Sequence, residues 1–480
     1  MRRVKIVCAL GSATDSYEQV RALVEAGMDV ARLGLGHGGG RGADEERYRW
    51  VRKAADETGR SVCLLADLRG RKTRLGRFRA GPVLLGAGDE FTLTGEEGVL
   101  GDRHGCGTTC VGLAGAVGPG QRVLVDEGRV VLEVVSVDGS RVRTRVVEGG
   151  GVADHAGLNL PGVLTSAPAL GAADEDDLRW ALRTGFDVVA LSFVCSGRDV
   201  AAVHRVMDEE GRRLPVLAKV EKPQAVEAIE EIVAAFDGIV VARGDLGAEM
   251  PLERVPSVQK RVVELARRAA KPVVVSTQLL DSMTGRVRPT RAEASDVANA
   301  VLDGTDAVML SGETSAGAHP VEAVATMVRI VEAAEEDFLG AGLAPLTDGD
   351  RPRSRGGAVA RAAAGIGDCL GARYLVAFTQ SGDTARRLAR HRSPIPVLAF
   401  TAEQATRSRL SLTWGVETFL EPAAGSTDAM ITQVEEALLR YGRCRRGDVV
   451  VLTAGSPPGV RGTTNMVRVH RVGGGGAGSG

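Results

Sequence analysis

Short runs of branched aliphatic residues alternate along this chain with stretches in which apolar residues recur every three to four positions. The apolar runs predict strands at 4–9, 30–35, 62–68, 188–193, 215–221, 238–246, 272–278 and 307–313. Helical periodicity fills most of the gaps, at 17–26, 44–58, 174–184, 198–210 and 224–235, with further helices at 255–270, 292–302 and 320–336. Strands that are apolar throughout are buried on both faces, and strands alternating with helices imply βαβ units and a parallel sheet. Eight of them predict a (β/α)8 TIM barrel, an α/β fold whose chemistry sits at the C-terminal strand ends.

The pattern breaks twice. Between 77 and 156 the helical period disappears, and strand-like pieces at 91–94, 122–125, 130–137 and 142–147 predict a small inserted β-barrel domain acting as a lid. The barrel then comprises 1–76 and 157–340. A Pro/Arg/Gly-rich linker at 341–357 leads to a C-terminal α/β regulatory domain at 358–472. That domain is predicted to hold helices at 358–370, 384–391 and 426–441 and strands at 374–378, 397–400 and 448–452. Residues 473–480 form a flexible Gly-rich tail.

Composition narrows the function. The 480 residues carry a formal net charge of −1, so no bulk attraction to nucleic acid or a membrane surface is expected. No apolar run approaches the ~20 residues that cross a bilayer, and the first residues lack a signal-peptide pattern. A cytoplasmic location is the expectation. The seven cysteines are scattered, unlike a disulfide framework. Cys106 and Cys110 lie near His104 but lack a second ligand pair, and read as reduced thiols rather than a zinc site.

The chemistry concentrates at the predicted strand ends, which are unusually polar: Arg32, Asp67, Ser192, Lys219-Val-Glu221, Arg243-Gly-Asp245, Thr277-Gln278 and Ser311-Gly-Glu313. Charged groups converging on one rim suit an anionic substrate handled with a metal ion. Glu221 and Asp245 are hard oxygen ligands for Mg²⁺ or Mn²⁺. Lys219, two residues before Glu221, shares its strand face. Arg32 and Arg74 add planar donors for phosphate oxygens. Taken singly, each has a plainer reading as an ion pair, a helix cap or a turn residue.

The order and spacing of Lys219-Val-Glu-Lys222, Val240-Val-Ala-Arg-Gly-Asp-Leu-Gly247, Thr277-Gln278, Arg288-Pro-Thr-Arg-Ala-Glu293, Val297-Ala-Asn-Ala-Val-Leu-Asp-Gly304 and Ser311-Gly-Glu-Thr314 resemble the pyruvate kinase family from about residue 4 to 472. The resemblance implies phosphoryl transfer from phosphoenolpyruvate to ADP, giving pyruvate and ATP. It implies Lys219, Thr277, Ser311 and Arg32 as catalytic residues, with Lys219 against the phosphoryl group and Ser311 in the proton relay to the enolate. It implies Arg243, Gly244, Asp245 and Thr277 as the substrate-binding set, His37 and Arg74 at the nucleotide, and Glu221 with Asp245 on the divalent metal. Thr379, Ser381, Gly382 and Thr384 match a loop that binds the phosphate of a sugar-phosphate effector. A homotetramer is the corresponding assembly.

The chain also departs from that family. Gly34 and Gly36 replace an Asn and a Ser that help ligate an activating K⁺, although Asp67 is kept. Lys72 stands where K⁺-dependent members have Glu, flanked by Leu68 and Leu75 in place of Thr. This resembles the K⁺-independent members, in which a lysine ammonium near Asp67 replaces the ion, so no K⁺ requirement is expected. Gly11-Ser-Ala13, Ala156 and Cys195 alter the nucleotide side, Ala156 in place of a nucleotide-reaching Lys. Two alternatives therefore stay open: a paralogue running a different enolate reaction or using another acceptor, and a non-catalytic sensor of phosphometabolites.

Overall fold

Eight parallel strands close on themselves: β1 (Lys5–Ala9), β2 (Val30–Gly34), β3 (Cys63–Leu68), β4 (Val188–Leu191), β5 (Val216–Val220), β6 (Gly238–Ala242), β7 (Val273–Ser276) and β8 (Ala307–Leu310). The ring is sealed by β1 against β8, with Lys5 opposite Ala307 and Cys8 opposite Leu310. This computed structural model describes residues 2–36, 40–70, 72–96, 98–126, 128–163, 169–341, 354–456 and 462–474. Alternation along each strand sorts the core into two layers. Val7, Leu65, Leu217, Val240 and Val274 fill the barrel interior. Their neighbours Ile6, Leu64, Val216, Ile239 and Val273 pack outward against the helices.

The predicted barrel strands are all present, but several stop early. The run 238–246 ends as a strand at Ala242, and Arg243–Glu249 is a short helix. The run 307–313 likewise ends at Leu310 and turns into the helix Gly312–Ser315. In both cases the polar residues at the end leave the ladder and wrap over the barrel mouth. The stretch 224–235 is two helices, Pro223–Glu227 and Ile229–Ala235.

The inserted segment curls into a six-stranded sheet in the order Leu158–Asn159, Arg122–Val125, Val130–Asp138, Arg141–Glu148, Glu90–Thr94 and Gly105–Gly107. Its neck is hydrogen-bonded: Leu75 N–H donates to the Ala156 carbonyl at 2.9 Å and Leu158 N–H to the Thr73 carbonyl at 2.8 Å. After the helix Pro320–Ala341 comes a five-stranded sheet, ordered Val416–Leu420, Val397–Thr401, Tyr374–Phe378, Val449–Gly455 and Thr464–Arg471. Val416–Leu420, Thr464–Arg471 and the helix Gln404–Leu410 were not predicted. The two strands form the sheet edges, and Thr464–Arg471 is mostly exposed and pairs antiparallel, so its apolar signal is weak. Most of the predicted linker and the end of the tail lie outside the described residues.

A buried carboxylate sits at the centre of the contact between the C-terminal domain and the barrel. Asp306 accepts hydrogen bonds from Trp414 N–H at 3.0 Å and Val273 N–H at 3.1 Å, and pairs with Arg392 at 3.1 Å. The Arg392 guanidinium also lies 4.9 Å from the centre of the Trp414 ring, and Leu412 joins the cluster that fills the barrel interior. Among the described residues no helix is long and apolar enough to cross a membrane. Asp306→Ala leaves a buried arginine without its carboxylate and should cost about 3 kcal/mol. Scanning calorimetry should show an earlier transition; an unchanged thermogram would contradict this account of the docking.

Candidate active site

The strand ends deliver a continuous charge network to the barrel mouth. Asp67, near the end of β3, accepts from Arg32 Nε of β2 at 2.6 Å and lies 3.4 Å from Lys219 Nζ of β5. Lys219 also stands 3.0 Å from Glu221 Oε1 and donates to Ser192 Oγ at 2.8 Å. The Ser192 hydroxyl in turn donates a hydrogen bond to the Leu68 carbonyl at 2.8 Å. Together with Asp245, Thr277 and Ser311 these groups line a cleft of about 200 Å³.

Burial acts on each charge and the neighbours decide the outcome. Burial alone would raise the Asp67 carboxyl, but Lys219 and Arg32 outweigh it and hold it below the usual carboxylate range. Burial would likewise lower Lys219, yet Asp67 and Glu221 lift it above the ordinary lysine value, so its ammonium is firmly protonated. Glu221, 1% exposed, is pushed up by burial; Lys219 opposes the shift and Asp245 adds to it. A buried carboxylate whose proton affinity is raised further by a neighbouring carboxylate marks a place for a cation.

Backbone strain sits at the same rim. Phe193, Thr277 and Gln278 all have positive φ, at 54°, 69° and 55°, a conformation that disfavours residues with a side chain. Each is held by a named contact. Phe193 N–H donates to Glu221 Oε2 at 2.6 Å. The Arg243 guanidinium donates to the Thr277 carbonyl at 2.8 Å and to that of Gln278 at 3.3 Å, backed by Asp296 at 2.7 Å. Arg243, predicted to bind substrate, is thus placed as a brace behind Thr277. Gly244 N–H donates to Thr277 Oγ1 at 2.7 Å, and Ser311 N–H to Glu313 Oε2 at 2.7 Å.

Lys72 does not pair with Asp67, whose oxygens face Arg32, Lys219 and Ser192; it pairs with Asp245 at 2.8 Å. Arg74 lines the cleft and donates to the His155 carbonyl at 3.1 Å. His37 lies outside the described residues. One residue escaped the sequence reading. Arg69 lies over Gly36, where a Cβ would overlap its guanidinium, and bonds to Asp177 at 2.9 Å. The sequence holds no signal for it, because Arg69 lies far along the chain from Gly34 and Gly36.

The C-terminal loop also builds a pocket. Gly382, at φ 84°, donates its N–H to Thr379 Oγ1 at 2.9 Å, and the Thr384 and Thr464 hydroxyls lie 2.7 Å apart. Thr379, Ser381, Thr384 and Thr464 line a cavity of about 140 Å³.

Comparison with known proteins agrees with this arrangement. Residues 1–324 match the pyruvate kinase barrel domain and residues 357–470 the pyruvate kinase alpha/beta domain. The chain belongs to the pyruvate kinase family. It is 55% identical over 473 residues to a pyruvate kinase of Mycobacterium intracellulare, covering 98% of this chain and 99% of the other. A Corynebacterium efficiens pyruvate kinase is 53% identical over 472 residues, covering 98% of each. A crystal structure of a pyruvate kinase from Cryptosporidium parvum superposes with a TM-score of 0.89 at 30% identity, covering 98% of this chain and 96% of that one. The activity is therefore that of pyruvate kinase, with phosphoenolpyruvate and ADP as the substrates membership implies.

Pyruvate kinases generally use a divalent metal, and the residues here fit one. Glu221 and Asp245 offer hard carboxylate oxygens just beyond the ends of adjacent strands, and an ion there would relieve the repulsion that Asp245 exerts on Glu221. Among the described residues no three His, Cys, Asp or Glu gather around one point. The protein thus supplies few ligands, as is usual for Mg²⁺ beside substrate phosphates.

Asp67 joins two cations, so Asp67→Asn should lower stability by about 3 kcal/mol at neutral pH. Its folded-state pKa is depressed, so the contribution is present above the ordinary carboxylate value and disappears as pH falls through the folded one. Denaturant titrations of both proteins should differ by a constant amount from pH 8 to about 5 and converge only in stronger acid. Convergence already near pH 6 would contradict the assignment.

Proposed function

We propose that this pyruvate kinase works without K⁺, because cationic side chains of the chain itself supply the monovalent charge beside the transferring phosphoryl group. The observation that carries this reading is Arg69, whose guanidinium fills the space over Gly36. Lys72 adds a second side-chain cation at the cleft. A side-chain cation near the phosphates does the electrostatic work of a bound ion and needs no loading.

The residue roles are those that family resemblance implies, and their positions around the cleft support them. Lys219, charged and 2.8 Å from Ser192 Oγ, faces the cleft where phosphoryl and enolate oxygens develop charge. Arg32 holds phosphate oxygens from the other side of Asp67. The short helix carrying Gly244 and Asp245 offers main-chain N–H groups to the substrate carboxylate, and Thr277 adds its hydroxyl. Ser311, its backbone anchored by Glu313, relays the proton to the enolate carbon. Arg74, and with it His37, contacts the nucleotide. A divalent ion at Glu221 and Asp245 supplies further positive charge against the phosphoryl and enolate oxygens when bound.

The division of labour extends to the rest of the chain. The barrel of 1–76 and 157–340 carries the chemistry, and the lid at 77–156 closes over it and excludes water as a competing acceptor. The domain at 358–472 receives a phosphorylated effector at Thr379, Ser381, Gly382 and Thr384, a reading supported by the hydroxyls of Thr379, Ser381 and Thr384 lining one cavity. The working assembly is a homotetramer in the cytoplasm.

Steady-state pyruvate formation from phosphoenolpyruvate, ADP and Mg²⁺ tests the reading. Turnover should be the same, within a factor of about two, in K⁺ and in a tetramethylammonium buffer. Lys219→Ala should lower kcat by about 10²–10³-fold. A strict K⁺ requirement would overturn the proposal while leaving the family assignment intact.

A further inference from the structure

Each carboxylate assigned to the divalent ion already carries a lysine. Lys219 Nζ stands 3.0 Å from Glu221 Oε1, and Lys72 Nζ 2.8 Å from Asp245 Oδ1. The two lysines are tethered differently. Lys219 sits on the same strand as Glu221 and is held as well by Ser192 and Asp67. Lys72 reaches in from the neck between β3 and the inserted domain, with 19% of its side chain exposed and the Phe193 ring 5.9 Å away. Of the two, Lys72 is free to withdraw.

Its path across the neck runs close over a glycine. A Cβ at Gly157 would stand 2.9 Å from Lys72 Cε, so the flexible end of the lysine would have to shift, and Gly157 pairs antiparallel with Arg74 at the neck. The lysine thus threads past the return strand of the inserted domain on its way to Asp245.

We propose that Lys72 is a tethered occupant of the divalent-metal position, holding Asp245 while the site is empty and withdrawing before Asp245 can ligate an ion. This rests on reading Glu221 and Asp245 as the metal ligands and does not depend on whether K⁺ is needed. The consequence is a coupling between metal and substrate. A displaced ammonium beside a doubly charged ion is repelled unless an anion joins them, so the metal binds weakly alone and tightly together with a phosphate-bearing substrate. Because Lys72 lies at the neck, its withdrawal also frees the segment from which the inserted domain swings. The lysine keeps the empty site neutral and makes its filling conditional on substrate.

The test is Mn²⁺ binding to the full-length, substrate-free protein, read from the EPR signal of free Mn²⁺. Lys72→Met should bind Mn²⁺ about three- to tenfold more tightly than wild type, the range expected for losing a partly exposed ion-pair competitor. Gly157→Ala, which crowds the lysine without removing it, should shift affinity in the same direction by less. Asp245→Asn should weaken binding in every background. Unchanged or weaker binding in both Lys72→Met and Gly157→Ala, with Asp245→Asn still weakening it, would overturn the proposal and leave the metal ligands standing. If Asp245→Asn has no effect, the ligand assignment itself fails and the proposal with it.

Discussion

Three carboxylates, Asp67, Glu221 and Asp245, line the mouth of one barrel, and the requirement that each be matched by a cation organises the rest of the site. An ionised carboxylate withdrawn from water without a partner is prohibitively unstable. Arg32 and Lys219 answer Asp67, Lys219 answers Glu221, and Lys72 answers Asp245. These residues come from distant points in the sequence, and the closed parallel barrel is what brings them within a few ångströms. The positive charge needed for phosphoryl transfer is therefore assembled by the same pairing that makes the carboxylates tolerable.

The barrel tolerates this because its strain and its charge support each other. The positive-φ residues Phe193 and Thr277 aim groups into the cleft, and each is held by a charged neighbour. Glu221 grips the Phe193 amide and Arg243 the Thr277 carbonyl. Glu221 therefore faces two ways, toward Lys219 and toward the backbone of β4's end. Neither the tight turn nor the buried charge would persist alone.

Much of this was legible in the sequence, for physical reasons. Fully buried parallel strands such as Val273–Ser276 announce themselves as unbroken apolar runs, and their polar ends mark the rim. The edge strand Thr464–Arg471 was hidden because an exposed edge needs no apolar face. Strand ends were overrun where a polar residue begins a helix in place of continuing a ladder, as at Arg243. The direction of long side chains was the least legible quantity. Arg243 and Lys72 sit on the expected segments but turn toward Thr277 and Asp245, because those partners come from other strands. Arg69 over Gly36 shows the converse, since a missing side chain has meaning only once its filler is seen.

On the proposed reading, this site carries its own monovalent cations and reserves Glu221 and Asp245 for a divalent one. A crystal structure grown with Mn²⁺, phosphoenolpyruvate and Tl⁺ as a heavy stand-in for K⁺ tests it most directly. The account predicts an anomalous peak for Mn²⁺ between Glu221 and Asp245, with Lys72 off Asp245 and no Tl⁺ peak among Gly34, Gly36 and Asp67. A Tl⁺ peak there, with Arg69 displaced from Gly36, would contradict it.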